Sequence, residues 1–293
     1  MEHKNRQIAF LGLGVMGSPM AKNLVKYNFH VKAWNRTQSD RPLVDQARDG
    51  GVEVMSTIQE AIADTQFICI CVSDGKDVKE IIFGDGGIIE TAEPGTIIID
   101  FSTIGPKVVR EIANQLNERG FNFLDAPVSG GDVGAQKGTL TIMVGGEISH
   151  YERCLTIFKA IGKSITHCGE VGSGQAVKLC NQVLCAVHMI GLCEAMELAR
   201  QFEIEPNLLI DVCSNGAASS WALSNLGSKV ATNDFEPGFM VKHILKDLRL
   251  VQESLGDLEL PGTTLADQKF KAVQELGGAE QGTQAMIRAY RES

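Results

Sequence analysis

Three groups of residues in this chain have types and spacings that can do chemistry. The first is built on a lysine. In "GSGQAVKLCNQ", residues 172–182, Lys178 and Asn181 stand three apart and share a face of any helix formed there. An unpaired ammonium is costly in a mostly apolar helix. Two readings stand: a side chain that snorkels its charge to water, or a proton donor with a depressed pKa suited to acid catalysis near neutrality. The second group is the glycine series Gly12, Gly14 and Gly17 in "IAFLGLGVMGSPMAKNL", residues 8–24. The third is "DAPVSGG", residues 125–131, where Ser129, Gly130 and Gly131 leave little bulk between backbone N–H groups and a ligand. Such a stretch makes an anion nest for a carboxylate or an ordinary turn.

The glycine series has the most specific chemistry. G-x-G-x-x-G directly after a strand and opening a helix is the dinucleotide fingerprint. Its first glycine allows a tight turn, its second lets a pyrophosphate approach the backbone, and its third packs helix on strand. The phosphates then meet N–H groups at a helix N-terminus. Gly12 through Gly17, with Leu13, Val15 and Met16 between the glycines, are therefore expected to hold the cofactor. A carboxylate about 20 positions on usually takes the ribose 2′-hydroxyl of NAD. Here "WNRT", residues 34–37, has Asn35 in that place, followed by Arg36. A guanidinium can hold a 2′-phosphate by paired hydrogen bonds, with Thr37 and Gln38 adding neutral donors. The bland alternative for Arg36 is a solvated loop charge. The missing carboxylate points to NADP, with NAD as the other possibility.

The elements that must position these groups are legible around them. Short apolar runs at 7–12, 30–34, 52–55, 67–72, 96–102, 121–128, 140–146 and 164–169 alternate with amphipathic segments. That alternation predicts a parallel sheet wrapped by helices. Several runs are continuously apolar, as expected of strands covered on both faces. Doubly wound sheets bind ligands beyond the C-terminal ends of their strands. "VSDG" (72–75, with Val72 and Ser73), "DFSTI" (100–104) and "DAPVSGG" leave three such ends. From Gly174 on, the strand pattern stops. Segment 175–202 suits a helix of about seven turns, apolar nearly all round and so expected to be buried. Segments 205–214, 237–255, 261–276 and 282–292 read as further helices. The expected fold class is α/β, a doubly wound sheet followed by an all-α domain and joined through a long helix. The domains are 1–170 and 171–293.

Bulk properties narrow the classes. A length of 293 residues predicts two domains. With 44% hydrophobic and 22% charged residues, the composition is that of an ordinary soluble globular protein. The net charge of −9 argues against non-specific nucleic-acid binding and against anionic membranes. No uninterrupted apolar run approaches the ~20 residues of a membrane span. The first residues lack a signal-peptide pattern, so a cytoplasmic protein is expected. Its eight cysteines read as reduced core thiols. Its six histidines have no ligand spacing, and no metal is expected.

"FLGLGVMGSPMAKNL", "DAPVSGG", "GSGQAVKLCNQ" and "FMVKHILKDLRL" occur in an order and spacing that resemble the β-hydroxyacid dehydrogenases, a family that includes 3-hydroxyisobutyrate dehydrogenase, tartronate semialdehyde reductase and the glyoxylate/succinic semialdehyde reductases. The likeness covers essentially the whole chain. It implies an NADP-binding Rossmann domain, an all-helical substrate and dimerisation domain, and an active site in the cleft between them. By the resemblance Lys178 is the catalytic acid/base, Asn181 and Gln182 orient the substrate, and Ser129, Gly130 and Gly131 hold its carboxylate. Thr103 lies on the nicotinamide side, and Lys246 reaches the cofactor from the helical domain. Some relatives have Asn at the position of Gln182. The family's imine-reducing cousins lack the lysine, so its presence implies a carbonyl substrate.

The implied reaction is reversible hydride transfer between a nicotinamide and a small carboxylate-bearing aldehyde or β-hydroxy acid, in a homodimer or homotetramer. Two other readings are weighed. One is a non-catalytic NADP-binding or sensing module on a retained dehydrogenase fold; loss of Lys178 or of "SGG" would have favoured it. The other is a decarboxylating sugar-acid dehydrogenase, for which the helical part is short. Trp221, in "GAASSWALSNLGSK" (216–229), either limits the substrate pocket or anchors packing.

Overall fold

A computed structural model describes residues 6–37 and 42–292. Gln38, offered above as a phosphate donor, lies outside the described residues. The chain divides into two compact units, Met1–Lys178 and Leu179–Ser293. The division falls inside a helix, eight residues beyond the expected boundary at 170. The extra residues stay with the first unit because Asp125, in that unit, accepts hydrogen bonds from Gly172 N and Gln175 N.

Among the described residues the first unit is built on a nine-stranded sheet: β1 (Gln7–Leu11), β2 (His30–Trp34), β3 (Glu53–Val54), β4 (Phe67–Ile70), β5 (Ile97–Asp100), β6 (Asn122–Asp125), β7 (Val128–Ser129), β8 (Leu140–Gly145) and β9 (Gly162–Gly169). The order is β3-β2-β1-β4-β5-β6-β8-β7, with β9 also paired to β8. From β3 to β6 all pairs are parallel, with Ile8 opposite Val31 and Phe67, and Cys69 opposite Ile99. Successive side chains of a strand point to opposite faces. Ile8, Phe10, Cys69, Ile97 and Ile99 therefore enter one core, while Ala9, Leu11, Ile68, Ile70 and Ile98 enter the other. This double burial is why β4 and β5 read as unbroken apolar runs.

The sheet departs from the expected all-parallel form at one edge. β8 runs antiparallel to β6 and to β7, and β7 is a short strand of its own within the "DAPVSGG" stretch. The strand order reverses between β1 and β4, the switch point at which doubly wound sheets bind ligands.

The second unit is helical among the described residues. Its share of the long helix Ser173–Gln201 is followed by Pro206–Ser214, Trp221–Thr232, Val241–Glu253 and Pro261–Glu275. The expected last helix is a 3₁₀ turn, Thr283–Ile287, continued by Arg288–Arg291. Helix Trp221–Thr232 was not anticipated. Ser220 caps it by accepting from Leu223 N at 3.1 Å, and Asn233 ends it in a left-handed conformation. Trp221, its first residue, is 64% exposed, so it is not a packing anchor within this chain.

Two expectations for the long helix need correction. Ser173–Gln201 is long and apolar enough, by length and composition, to cross a membrane, with a mean hydropathy of 1.5 over its best window. Counting unbroken runs misses this because Lys178, Asn181 and Gln182 interrupt the pattern. Ala186, Met189, Ile190, Cys193 and Met196 instead enter the core of the helical unit, as in the core helix of a globular domain. It is also less buried than its composition suggests, since Val177, Leu184 and Leu198 are exposed. The cysteines differ likewise. Cys69, Cys154 and Cys193 are buried thiols, but Cys180 and Cys185 are exposed on this helix. Burial pushes the Cys154 and Cys193 thiols up to about 12.

Candidate active site

In the sheet unit the predicted residues lie on the loops that leave the C-terminal ends of β1, β2, β4 and β5, and on β7 just beyond β6. Two of the three glycines after β1 have a steric reason within the protein. Gly12 has φ +104°, and a Cβ there would stand 2.3 Å from the Cys71 carbonyl oxygen. At Gly17 a Cβ would lie 1.9 Å from Gly12 O, so helix Gly17–Lys26 sits directly on the turn. A Cβ at Gly14 would meet nothing within 4 Å. Packing within the protein therefore does not require glycine at 14, whereas a ligand close to the backbone does. Helix Gly17–Lys26 has no acidic residue in its first turn and no side-chain cap. Its first N–H groups and the positive end of its dipole suit an anionic ligand. The loop thus fits a dinucleotide pyrophosphate.

The β2 end is tied to this loop. Asn35 Oδ1 accepts from Leu13 N at 2.8 Å, and Asn35 Nδ2 donates to Thr37 O at 2.5 Å. Asn35 therefore does structural work at the place where a ribose-binding carboxylate is usual. Arg36 is 69% exposed and pairs with Asp77 at 2.9 Å, with Glu80 at 4.0 Å. Exposed pairs of this kind are weak, about 0–1 kcal/mol, so the guanidinium can exchange partners cheaply. Thr37 is exposed, as is Ser73, while Val72 is half-buried and donates its N–H to Ser102 Oγ at 3.0 Å.

Thr103 is half-buried in the loop after β5. Its neighbours are held by a residue that sequence reasoning passed over. Gln175, fully buried, accepts from Ile104 N and Gly105 N at 3.0 Å each and donates to Ser102 O at 2.8 Å. Asp125, at the end of β6, was also passed over. It is fully buried and accepts from Gly172 N at 2.7 Å and Gln175 N at 2.8 Å. Burial pushes its pKa up, against the pull of those N–H groups and of Arg110. Gly145 and Gly174 box this carboxylate in, since a Cβ at either would lie 2.4 or 2.8 Å from one of its oxygens. These were the available signals: an acid directly at a strand end, and a glutamine among the glycines of "GSGQ".

Ser129 is half-buried on β7, opposite Thr141. Gly130 and Gly131 follow with φ +128° and +63°, a backbone that side chains rarely tolerate. Lys178, the last residue of this unit, is only 6% exposed. Burial of an amine to that degree goes against the snorkelling reading. The helix runs on without interruption into Asn181 and Gln182, so the spacing of Lys178 and Asn181 is helical, as expected.

In the helical unit a polar chain links three further candidates. Asn181 Nδ2 donates to Gln182 Oε1 at 2.8 Å. Gln182 Nε2 donates to Asp247 Oδ2 at 2.5 Å, and Lys246 Nζ lies 2.9 Å from Asp247 Oδ1. Asp247 is buried and its role is invisible in sequence, since 65 residues separate it from Gln182.

A glycine loop of this geometry at the switch point of a doubly wound sheet defines the class of dinucleotide-binding proteins. Comparison with known proteins narrows the class. Residues 7–169 match the family model described as the NAD-binding domain of 6-phosphogluconate dehydrogenase, and residues 172–290 match the one described as NAD-binding of NADP-dependent 3-hydroxyisobutyrate dehydrogenase. The chain is 56% identical to an uncharacterized oxidoreductase of Synechocystis over 98% of its own length and 99% of that protein's. It is 35% identical to an NAD-dependent L-serine dehydrogenase of Pseudomonas aeruginosa, covering 94% and 99%. Among solved structures it is similar to Mycobacterium tuberculosis 3-hydroxyisobutyrate dehydrogenase with L-serine, at a TM-score of 0.87, 32% identity and 98% and 99% coverage. The chain belongs to the β-hydroxyacid dehydrogenase family and is an NAD(P)-dependent oxidoreductase of that kind.

Proposed function

We propose that this enzyme is an NADP(H)-dependent reductase of small carboxylate-bearing aldehydes, acting reversibly on the corresponding β-hydroxy acids. Glyoxylate or succinic semialdehyde reduction and 3-hydroxyisobutyrate-like oxidation are the reactions in view. The observation that carries the reading is Lys178, a lysine 6% exposed in the helix that opens from "GSGQ".

Gly12, Leu13, Gly14, Val15, Met16 and Gly17 hold the pyrophosphate, with Asn35 shaping the loop and Arg36 and Thr37 facing the adenosine 2′-phosphate. Val72, Ser73 and Thr103 line the nicotinamide side, and Lys246 contacts the cofactor from the helical unit. When bound, the nicotinamide supplies or takes up the hydride. Ser129, Gly130 and Gly131 receive the substrate carboxylate. Asn181, kept in place through Gln182 and Asp247, orients the substrate oxygen. Lys178 gives that oxygen its proton in reduction and removes it in oxidation. NADP is preferred over NAD because no carboxylate occupies position 35 and a weakly paired guanidinium follows it. Exposed Leu184, Leu198, Phe202, Leu208 and Val212 support burial of the helical unit against a second copy, and a cytoplasmic homodimer or homotetramer is part of the reading.

The test is an activity panel of small aldehydes with NADPH and with NADH, run on the enzyme and on Lys178→Ala. Loss of general acid catalysis costs about 10²–10⁴-fold in kcat. A variant that binds NADPH normally and keeps near-full kcat would remove Lys178 from the mechanism. A wild-type enzyme inert towards the whole panel while binding NADPH tightly would favour a sensing module.

A further inference from the structure

We infer that Gln175 is a positioning residue that sets the Thr103 loop against the first turn of the Lys178 helix; this rests on the acid/base reading of Lys178. The loop after β5 runs from Phe101, whose N–H donates to Ile70 O at the end of β4, to Gly105 and enters helix Pro106–Asn117. Buried backbone groups in such a loop need partners. One side chain supplies three of them: Gln175 takes Ile104 N and Gly105 N on Oε1 and gives Nε2 to Ser102 O. Its bonds to Ser102, Ile104 and Gly105 fall on either side of Thr103.

The same glutamine is fixed at its other end. Its own N–H donates to Asp125 Oδ2 at 2.8 Å, while Gly172 N donates to Oδ1 at 2.7 Å. Gly174 allows this approach, since a Cβ there would stand 2.3 Å from Met143 O. Ser102 extends the hold, for its Oγ accepts from Val72 N in the loop after β4. A continuous path of hydrogen bonds therefore runs from the Asp125 carboxylate through Gln175 to the loops carrying Thr103 and Val72. Lys178 follows three residues later, less than one helical turn away. Every residue in this path belongs to the sheet unit. A glutamine does this where a carboxylate or an apolar side chain cannot, because the loop presents two donors and one acceptor. A loop free to drift by an ångström would misplace reacting groups at a cost of about 10²-fold in rate.

The experiment compares Gln175→Met and Gln175→Glu with the wild type, each alone and in a Lys178→Ala background. Gln175→Met keeps length and loses all three bonds. It should lower kcat by roughly 10–100-fold while the Kd for NADPH, read by cofactor fluorescence, stays within about threefold of wild type. Gln175→Glu keeps acceptors for Ile104 N and Gly105 N but donates to Ser102 O only when protonated. Its kcat, relative to wild type at the same pH, should recover as pH falls, a response that a role in packing alone does not predict. In the Lys178→Ala background, Gln175→Met should cost less than about threefold more, since the aligned group is already gone.

A kcat within threefold of wild type in folded Gln175→Met, or a Gln175→Glu whose kcat relative to wild type does not change with pH, overturns the proposal. So does full additivity with Lys178→Ala, or a loss confined to NADPH affinity. If Gln175→Met does not fold, Gln175→Glu and its pH response decide alone. Lys178→Ala with undiminished kcat would overturn the acid/base reading; an inactive Lys178→Ala beside a fully active Gln175→Met would overturn only the positioning role.

Discussion

The glycine loop allows folding and binding to be separated by single methyl groups. A Cβ at Gly17 would lie 1.9 Å from Gly12 O, roughly 1.5 Å inside ordinary contact, and both partners are backbone. Neither can rotate away, so the cost should reach or exceed the upper end of overpacking, about 3 kcal/mol. At about 2–4 °C per kcal/mol this lowers Tm by roughly 6–12 °C. A Cβ at Gly14 would meet nothing within 4 Å, and Gly14 is not among the positive-φ glycines. Gly14→Ala should therefore be neutral or stabilising by up to about 1 kcal/mol, through the entropy of the unfolded chain. Its methyl would instead stand where a pyrophosphate approaches the backbone, at a cost of about 1–3 kcal/mol, or roughly 5–150-fold in Kd. Thermal unfolding without ligand and fluorescence titration with NADPH read the two effects independently. The reasoning is refuted if Gly14→Ala binds NADPH like the wild type, or if Gly17→Ala melts with it.

Two further outcomes follow from the electrostatics. Arg36→Asp should move the NADPH/NADH ratio of kcat/KM toward NADH by about tenfold or more, because a charge-assisted bidentate contact gives way to repulsion; an unchanged ratio defeats the phosphate assignment. His243, half-buried and stacked on Phe239 with ring centroids 5.9 Å apart, has its pKa lowered by burial and by Lys242 and Lys246. A histidine whose folded pKa lies below its unfolded value of about 6.5 resists protonation in the native state only. Stability should accordingly be level above that pH and fall as pH drops through it. His243→Gln should flatten this decline in urea unfolding between pH 7 and 5, and an unaltered slope would assign the acid sensitivity elsewhere.

What the sequence by itself determined is local. The runs that become β4 and β5 are legible because each is apolar on both faces, and the glycine spacing after β1 marks a turn that any reader of backbone sterics can find. Helices 175–202 and 261–276 are legible from their period for the same reason. Tertiary structure decided what faces what. An apolar run records that a strand is covered, not which way it runs, so the antiparallel β8 was hidden. Helix Trp221–Thr232 was obscured because small and polar residues weaken its period, and its Ser220 cap shows only once the chain is folded. The same limit holds in the site. Lys178 and Asn181 announce themselves by spacing on one helix, whereas Gln175 meets Ile104 across 71 residues and Gln182 meets Asp247 across 65. Side-chain amides and carboxylates carry no sequence mark of the backbone groups they will satisfy. Those partners exist only after the sheet has brought the ends of β4, β5 and β6 together, and after the helices have packed on one another.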